Sequence, residues 1–211
     1  AHNDFMTSFY NSVQLAFFSA SISTLLAVPS GLAIAQYNFR GRDALNALFL
    51  SPLIIPHLVL GVAFLRLFSL MGFTGSFVWL VAAHSIVVTP YALRLILASL
   101  GSMDRNAENA ARTLGAGEWT VFRRVTLPLL VPGLSGGWLL AFINSFDELT
   151  MSIFVTSPST VTLPVRMYMY ASESIDPMMA AVSALMILVA TVTMIIIDRM
   201  FGLDRLLVGK G

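Results

Sequence analysis

Two adjacent carboxylates, Asp147 and Glu148, stand inside an otherwise apolar run, and a histidine, His57, follows Pro56 inside another. An ionised side chain at mid-depth in hydrocarbon costs at least about 2.5 kcal/mol unless it faces water, a partner or a ligand. Such residues are therefore candidates for a solute pathway. Neighbouring helical positions point about 100° apart, so the two carboxylates cannot share one cavity equally. The functional reading gives one of them, Asp147 for preference, the task of attracting an ammonium group, with Phe142, Phe146 or Trp138 offering a π face. The competing reading is structural: the carboxylate braces a gate by pairing with Arg66 or Arg94, which also fall within apolar runs. His57, close to Pro52 and Pro56, either joins the pathway or hydrogen-bonds a carbonyl freed by the prolines. In the pathway it would suit another amine, an amino-acid derivative or an iron-type substrate. His84 reads as a satisfied interior residue. The histidines have no partner at i+3 or i+4, so no metal site is expected, and no catalytic residues are assigned.

The elements that must position these residues follow from composition. Of 211 residues, 57% are hydrophobic and only 11% charged, against roughly a quarter charged in soluble domains. The mean hydropathy is +0.82. Five apolar runs reach the roughly 20 residues needed to cross the hydrocarbon core: about 9–37, 44–70, 76–100, 129–156 and 178–201. None alternates apolar with polar residues as a barrel strand would. The expected fold is all-α, a polytopic membrane bundle of five spans forming one transmembrane domain over residues 1–211. The net charge of +1 provides no basic field for nucleic acid, and the absence of cysteine removes thiolate sites and disulfides.

Arginines and lysines in the short connections set the orientation. Arg40 and Arg42; Arg105, Arg112, Arg123 and Arg124; and Arg199, Arg205 and Lys210 fall in three connections that must share the cytoplasmic side. The turn at 71–75 is chargeless, and the loop at 156–177 sets Arg166 against Glu173 and Asp176, so both are expected outside, with the N-terminus. The cytoplasmic connection 101–128 carries two helical stretches, 105–114 and 118–125. The external loop carries one, 163–174, which would pack on an outside partner or rest at the interface. Gly133 and Gly137 form a small-residue pair that lets another helix approach closely.

Within 101–128 the chain reads Glu108, Asn109, Ala110, Ala111, three residues, Gly115, nine residues, then Val125, Leu127 and Pro128. This resembles the cytoplasmic signature of permease subunits of binding-protein-dependent ABC importers, E-A-A, three residues, Gly, nine residues, I-x-L-P. One departure stands out: Asn109 occupies the usual Glu position, with the acidic residue Glu108 one place earlier. The resemblance implies the type I importer fold, a coupling helix that docks into a dimer of ABC ATPase subunits, a second and non-identical permease subunit, an external solute-binding protein and a bacterial cytoplasmic (inner) membrane. It also implies that ATP and magnesium belong to the ATPase, because no G-x-x-x-x-G-K-[ST] loop occurs here and no cofactor is expected on this chain. The stretch Phe146 to Leu149, Phe154 to Pro158, Leu163, Pro164 and Tyr168 is similar to the polyamine-type permeases, which import spermidine or putrescine. Members usually carry one further N-terminal span, and a start at Ala1 rather than Met suggests that it is missing. The alternative outside this family is a transporter driven by an ion gradient, with Asp147, Glu148 and Arg66 as the relay.

Overall fold

A computed structural model describes residues 2–173 and 178–201, all of whose regular elements are helical. Residues 174–177, including Asp176, and residues 202–211, including Arg205 and Lys210, lie outside the described residues. In chain order the helices are α1 (His2–Gln36), α2 (Arg42–Leu50), α3 (His57–Met71), α4 (Phe77–Ser102), α5 (Asn106–Thr113), α6 (Glu118–Val121), α7 (Leu127–Phe146), α8 (Ser152–Val155), α9 (Leu163–Glu173) and α10 (Met178–Phe201). A π-helical turn, Phe122–Thr126, joins α6 to α7 without a break.

Three helices form the core: α1, α4 and α7 pack on one another along their lengths. Small residues let them approach. Ala16, Ala20 and Ala27 of α1 are fully buried. Ser19 and Ser23 donate hydroxyl protons to the carbonyls of Val81 and Ser85 on α4, at 3.3 and 2.9 Å. A hydroxyl buried in this way exchanges no bond for an unmet one, so the polar pair adds specificity at little cost.

Gly133 and Gly137 of α7 lie against α4 of this same chain. A Cβ at Gly137 would come within 3.1 Å of the Ala92 backbone, and one at Gly133 within 2.5 Å of the Ser99 Cβ.

Three helices are long and apolar enough to span a bilayer, within Asp4–Gln36, Phe77–Ser102 and Glu118–Phe146. The second run is different: the segments Arg42–Leu53 and His57–Met71 meet at 99°. The cause is local. Pro52 and Pro56 cannot donate backbone bonds, the Ile54 amide tightens to the Ser51 carbonyl three residues back, and the Ile55 amide shares that carbonyl in the last bond before the bend. The fourth run is also interrupted, because α7 ends at Phe146 and α8 resumes only at Ser152. In the fifth, the described apolar part covers Ala180–Ile195 of α10. Among the described residues, three helices are thus long and apolar enough to span, or four if the bent pair forms one span.

The stretch expected outside forms α9, which packs on α1. The Leu163 amide donates to the Ser12 hydroxyl at 2.7 Å, and Arg166 Nε reaches Ser8 Oγ at 3.4 Å. Its first turn thus has a partner within the chain rather than an external one.

Candidate functional site: the broken-helix junction and the cytoplasmic loop

The two helix breaks meet. α3 packs on α8 because Gly61 leaves room: a Cβ there would approach Phe154 Cδ2 to 2.7 Å and the Met151 backbone to 3.1 Å. At this junction Glu148 is buried, with 8% of its surface exposed. Its Oε1 accepts the Met151 amide at 2.7 Å, and its Oε2 lies 2.7 Å from His57 Nδ1. A second histidine closes the other side. His84 of α4, fully buried, holds Ser145 at 2.9 Å through Nδ1 and Ser152 at 3.0 Å through Nε2, so one imidazole ties together the two ends of the break.

These contacts give three of the expected residues other surroundings. The brace for Glu148 is His57, and neither Arg66 nor Arg94 forms an ion pair among the described residues. His57 meets this carboxylate rather than a carbonyl freed by the prolines. Phe142 and Phe146 are enclosed: they share a buried cluster with Phe5, Ala16, Ala20, Val88 and Leu163 and offer no open π face. Trp138, half-buried, stacks on Phe142 at 5.3 Å, and its indole N–H donates to Ser21 at 3.1 Å. Asp147, just past the end of α7, is exposed.

At the other end of α1 stands the 101–128 loop. Glu108 of α5 is 3% exposed and accepts a short hydrogen bond from the Thr126 hydroxyl at the base of α7. Arg112 lies 3.9 Å from Glu108 and forks onto Glu118, with bonds of 2.9 and 3.1 Å. Hydrogen bonding by Arg112 holds the Glu118 carboxyl below its ordinary range, and Glu118 in turn raises the Arg112 guanidinium. Asn109, one position on, points outward and only accepts a 3.4 Å bond from Arg112. Gly115 has φ of +84° and open space around its Cβ position, so its role here is the left-handed stop of α5. Ala111 is half-buried, whereas Ala107, Ala110 and Leu114 are exposed. The last three, at spacings of three and four, form an apolar stripe free for a partner. Leu114, 88% exposed, is the residue that motif reading passed over, although its place in the helical period could have marked it. Leu127 and Pro128 follow the π-helical turn directly, the Leu127 amide bonding back to the Phe122 carbonyl and Pro128 bringing no amide to the ladder.

An all-helical bundle with broken helices meeting at a buried carboxylate, and a helical loop clear of the other end, has the architecture of a membrane transport subunit. The sequence profile of binding-protein-dependent transport system inner membrane components matches residues 27–201, and the chain belongs to that family. It is a permease subunit of an ABC importer, a class that works with ATPase and binding-protein partners. It is 33% identical over 180 residues to the spermidine/putrescine transport system permease protein PotC of Haemophilus influenzae, covering 85% of this chain and 70% of that one. It is 34% identical over 179 residues to the molybdenum transport system permease protein ModB of Escherichia coli K12, covering 75% and 78%. The fold matches a chain of the inward-facing MetNI methionine ABC transporter with a TM-score of 0.79 at 18% identity, covering 93% and 94%.

Proposed function

We propose that this permease lines the import pathway of a polyamine such as spermidine or putrescine, with Glu148 and Asp147 providing the negative charge that draws the ammonium groups. The observation that carries the reading is the buried carboxylate of Glu148 where the two helix breaks meet, and the likeness to PotC supports it. Residues 1–211 act as one transmembrane domain, in a bacterial inner membrane, with the N-terminus and the 156–177 loop outside and the C-terminus in the cytoplasm. A dimer of ATPase subunits, holding ATP and magnesium, grips the 101–128 loop; a second, non-identical permease completes the pathway; an external solute-binding protein delivers the solute.

The test is spermidine uptake by proteoliposomes containing the whole complex, ATP inside and binding protein outside. Glu148→Gln is expected to cut uptake at least about tenfold while the complex still assembles, as loss of a charged partner of a buried ligand group costs several kcal/mol. Normal uptake by both Asp147→Asn and Glu148→Gln would remove the carboxylates from the pathway. A second reading, import of another amine, an amino-acid derivative or an iron-type substrate, is favoured by one observation: the His57 imidazole already occupies Glu148.

A further inference from the structure

The partners of Glu148 are unequal. One oxygen is fixed by the break itself, through the amide of Met151 three residues on. The break is also pinned independently by His84, which bridges Ser145 and Ser152. His57 is the exception. It arrives from a different helix, 91 residues away in sequence, and its side chain is 32% exposed against 8% for Glu148. Deleting its bond would leave the carboxylate in place but short of one partner, and a buried carboxylate does not tolerate that without a replacement. The replacement must be a donor small enough to enter beside α3, and preferably a cation.

We propose that His57 is a built-in hydrogen-bond partner for Glu148 that an incoming ammonium group displaces, so that solute entry breaks the side-chain bond that ties the start of α3 to the 147–151 break. The inference rests on the ammonium reading above and adds a rule for its regulation. A neutral imidazole donates one hydrogen bond through Nδ1–H and yields to an ammonium group; a protonated imidazole is itself a cation and competes with it. Acid therefore opposes uptake. The charged surroundings leave this choice to His57. Asp147 adjoins Glu148 in sequence, and His84 on α4 is near enough to interact electrostatically with His57. The 51–56 connection and α8 carry no ionisable side chain. Arg66, on α3 itself, forms no ion pair among the described residues.

The experiment compares wild type, His57→Asn and His57→Arg in proteoliposomes with the complete complex, following spermidine uptake from pH 5.5 to 8. Asn presents an N–H near the Nδ1 position and cannot charge; Arg is charged throughout. The ratio of wild-type to His57→Asn uptake is expected to fall at least about threefold from pH 7.5 to 5.5, because an imidazole can take up a proton and become a cation whereas an amide cannot. His57→Arg is expected to assemble and to transport at under about a tenth of the wild-type rate at every pH. A purely structural histidine would change the rate but not the pH profile. A pH-independent ratio, or normal uptake by His57→Arg, overturns displacement while leaving the polyamine reading intact. If His57→Arg fails to assemble, the ratio decides alone. If wild type takes up no spermidine at any pH although the binding protein stimulates its ATPase, the ammonium reading falls and displacement with it.

Discussion

A displacement of one residue in the acidic position of the cytoplasmic loop changes which way a carboxylate faces. Adjacent helical positions differ by about 100°, so Glu108 turns inward to Thr126 while Asn109 faces out. The acidic residue therefore ties α5 to the root of α7, rather than meeting a partner directly. Glu108→Ala leaves the Thr126 hydroxyl unmatched and strips Arg112 of one neighbour, a loss of roughly 1–3 kcal/mol for a buried hydrogen bond. The expected outcome is a loop cut faster by protease in the purified complex, and Asn109→Glu added to the same chain should not slow the cutting. Rescue by Asn109→Glu would show that position 109 can take over the tie. The Arg112–Glu118 pair adds a pH dependence of known sign. The Glu118 carboxyl is held below its ordinary range, so the contribution of the pair is present above that range and disappears as the pH falls through the lowered value.

At the scale of the element, glycines separate those that need space from those that need a backbone angle. Gly137 needs space, since the Ala92 backbone stands 3.1 Å from where a Cβ would lie. Gly137→Val must push α7 off α4 and is expected to destabilise by about 1–3 kcal/mol, lowering the melting temperature of the detergent-solubilised protein. Gly101→Ala, with nothing within 4 Å, is the control and should melt no lower than wild type. Equal melting of the two would show that α7 and α4 can part without cost.

Sequence periodicity located the helical stretches at 105–114, 118–125 and 163–174 because local propensity and caps are written in contiguous residues. The 99° bend near Pro52 and Pro56 was not read, since the apolar run 44–70 continues through both prolines without a change in composition. Nor was the pairing of His57 with Glu148, since nothing local in either segment announces a neighbour 91 residues distant. The burial of Phe142 and Phe146 was hidden likewise: aromatic residues at a spacing of four describe a core face and a cation-binding face equally well.

For the whole molecule, α1 serves as a ruler for the proposed topology. Near its start, Asn11 donates to the carbonyls of Ser159 and Val161, at 3.2 and 3.1 Å; near its end, the Ala35 carbonyl accepts from Arg105 at 2.8 Å. Those contacts are separated by 24 residues of one helix, about 36 Å at 1.5 Å per residue, a little more than the roughly 30 Å of hydrocarbon. The loop before α9 and the loop holding α5 therefore belong to opposite faces of the bilayer, whichever face is which. Arginines assign the faces: Arg105, Arg112, Arg123 and Arg124 cluster at the α5 end, and positive residues stay in the cytoplasm. Residues 1–211 contain no cysteine, so a single substitution gives this stretch one labelling site. Ser159→Cys in intact cells is expected to react with a membrane-impermeant maleimide, and Trp119→Cys, 71% exposed in the wild-type side chain, only after the membrane is opened. Reversed labelling would invert the topology and take the apolar stripe of Ala107, Ala110 and Leu114 out of reach of any cytoplasmic ATPase. Correct labelling makes that stripe accessible, and Leu114→Asp should then lose the copurifying ATPase while the permease still inserts. Gly115→Asp is a less direct probe, because at φ of +84° any side chain also strains the stop of α5.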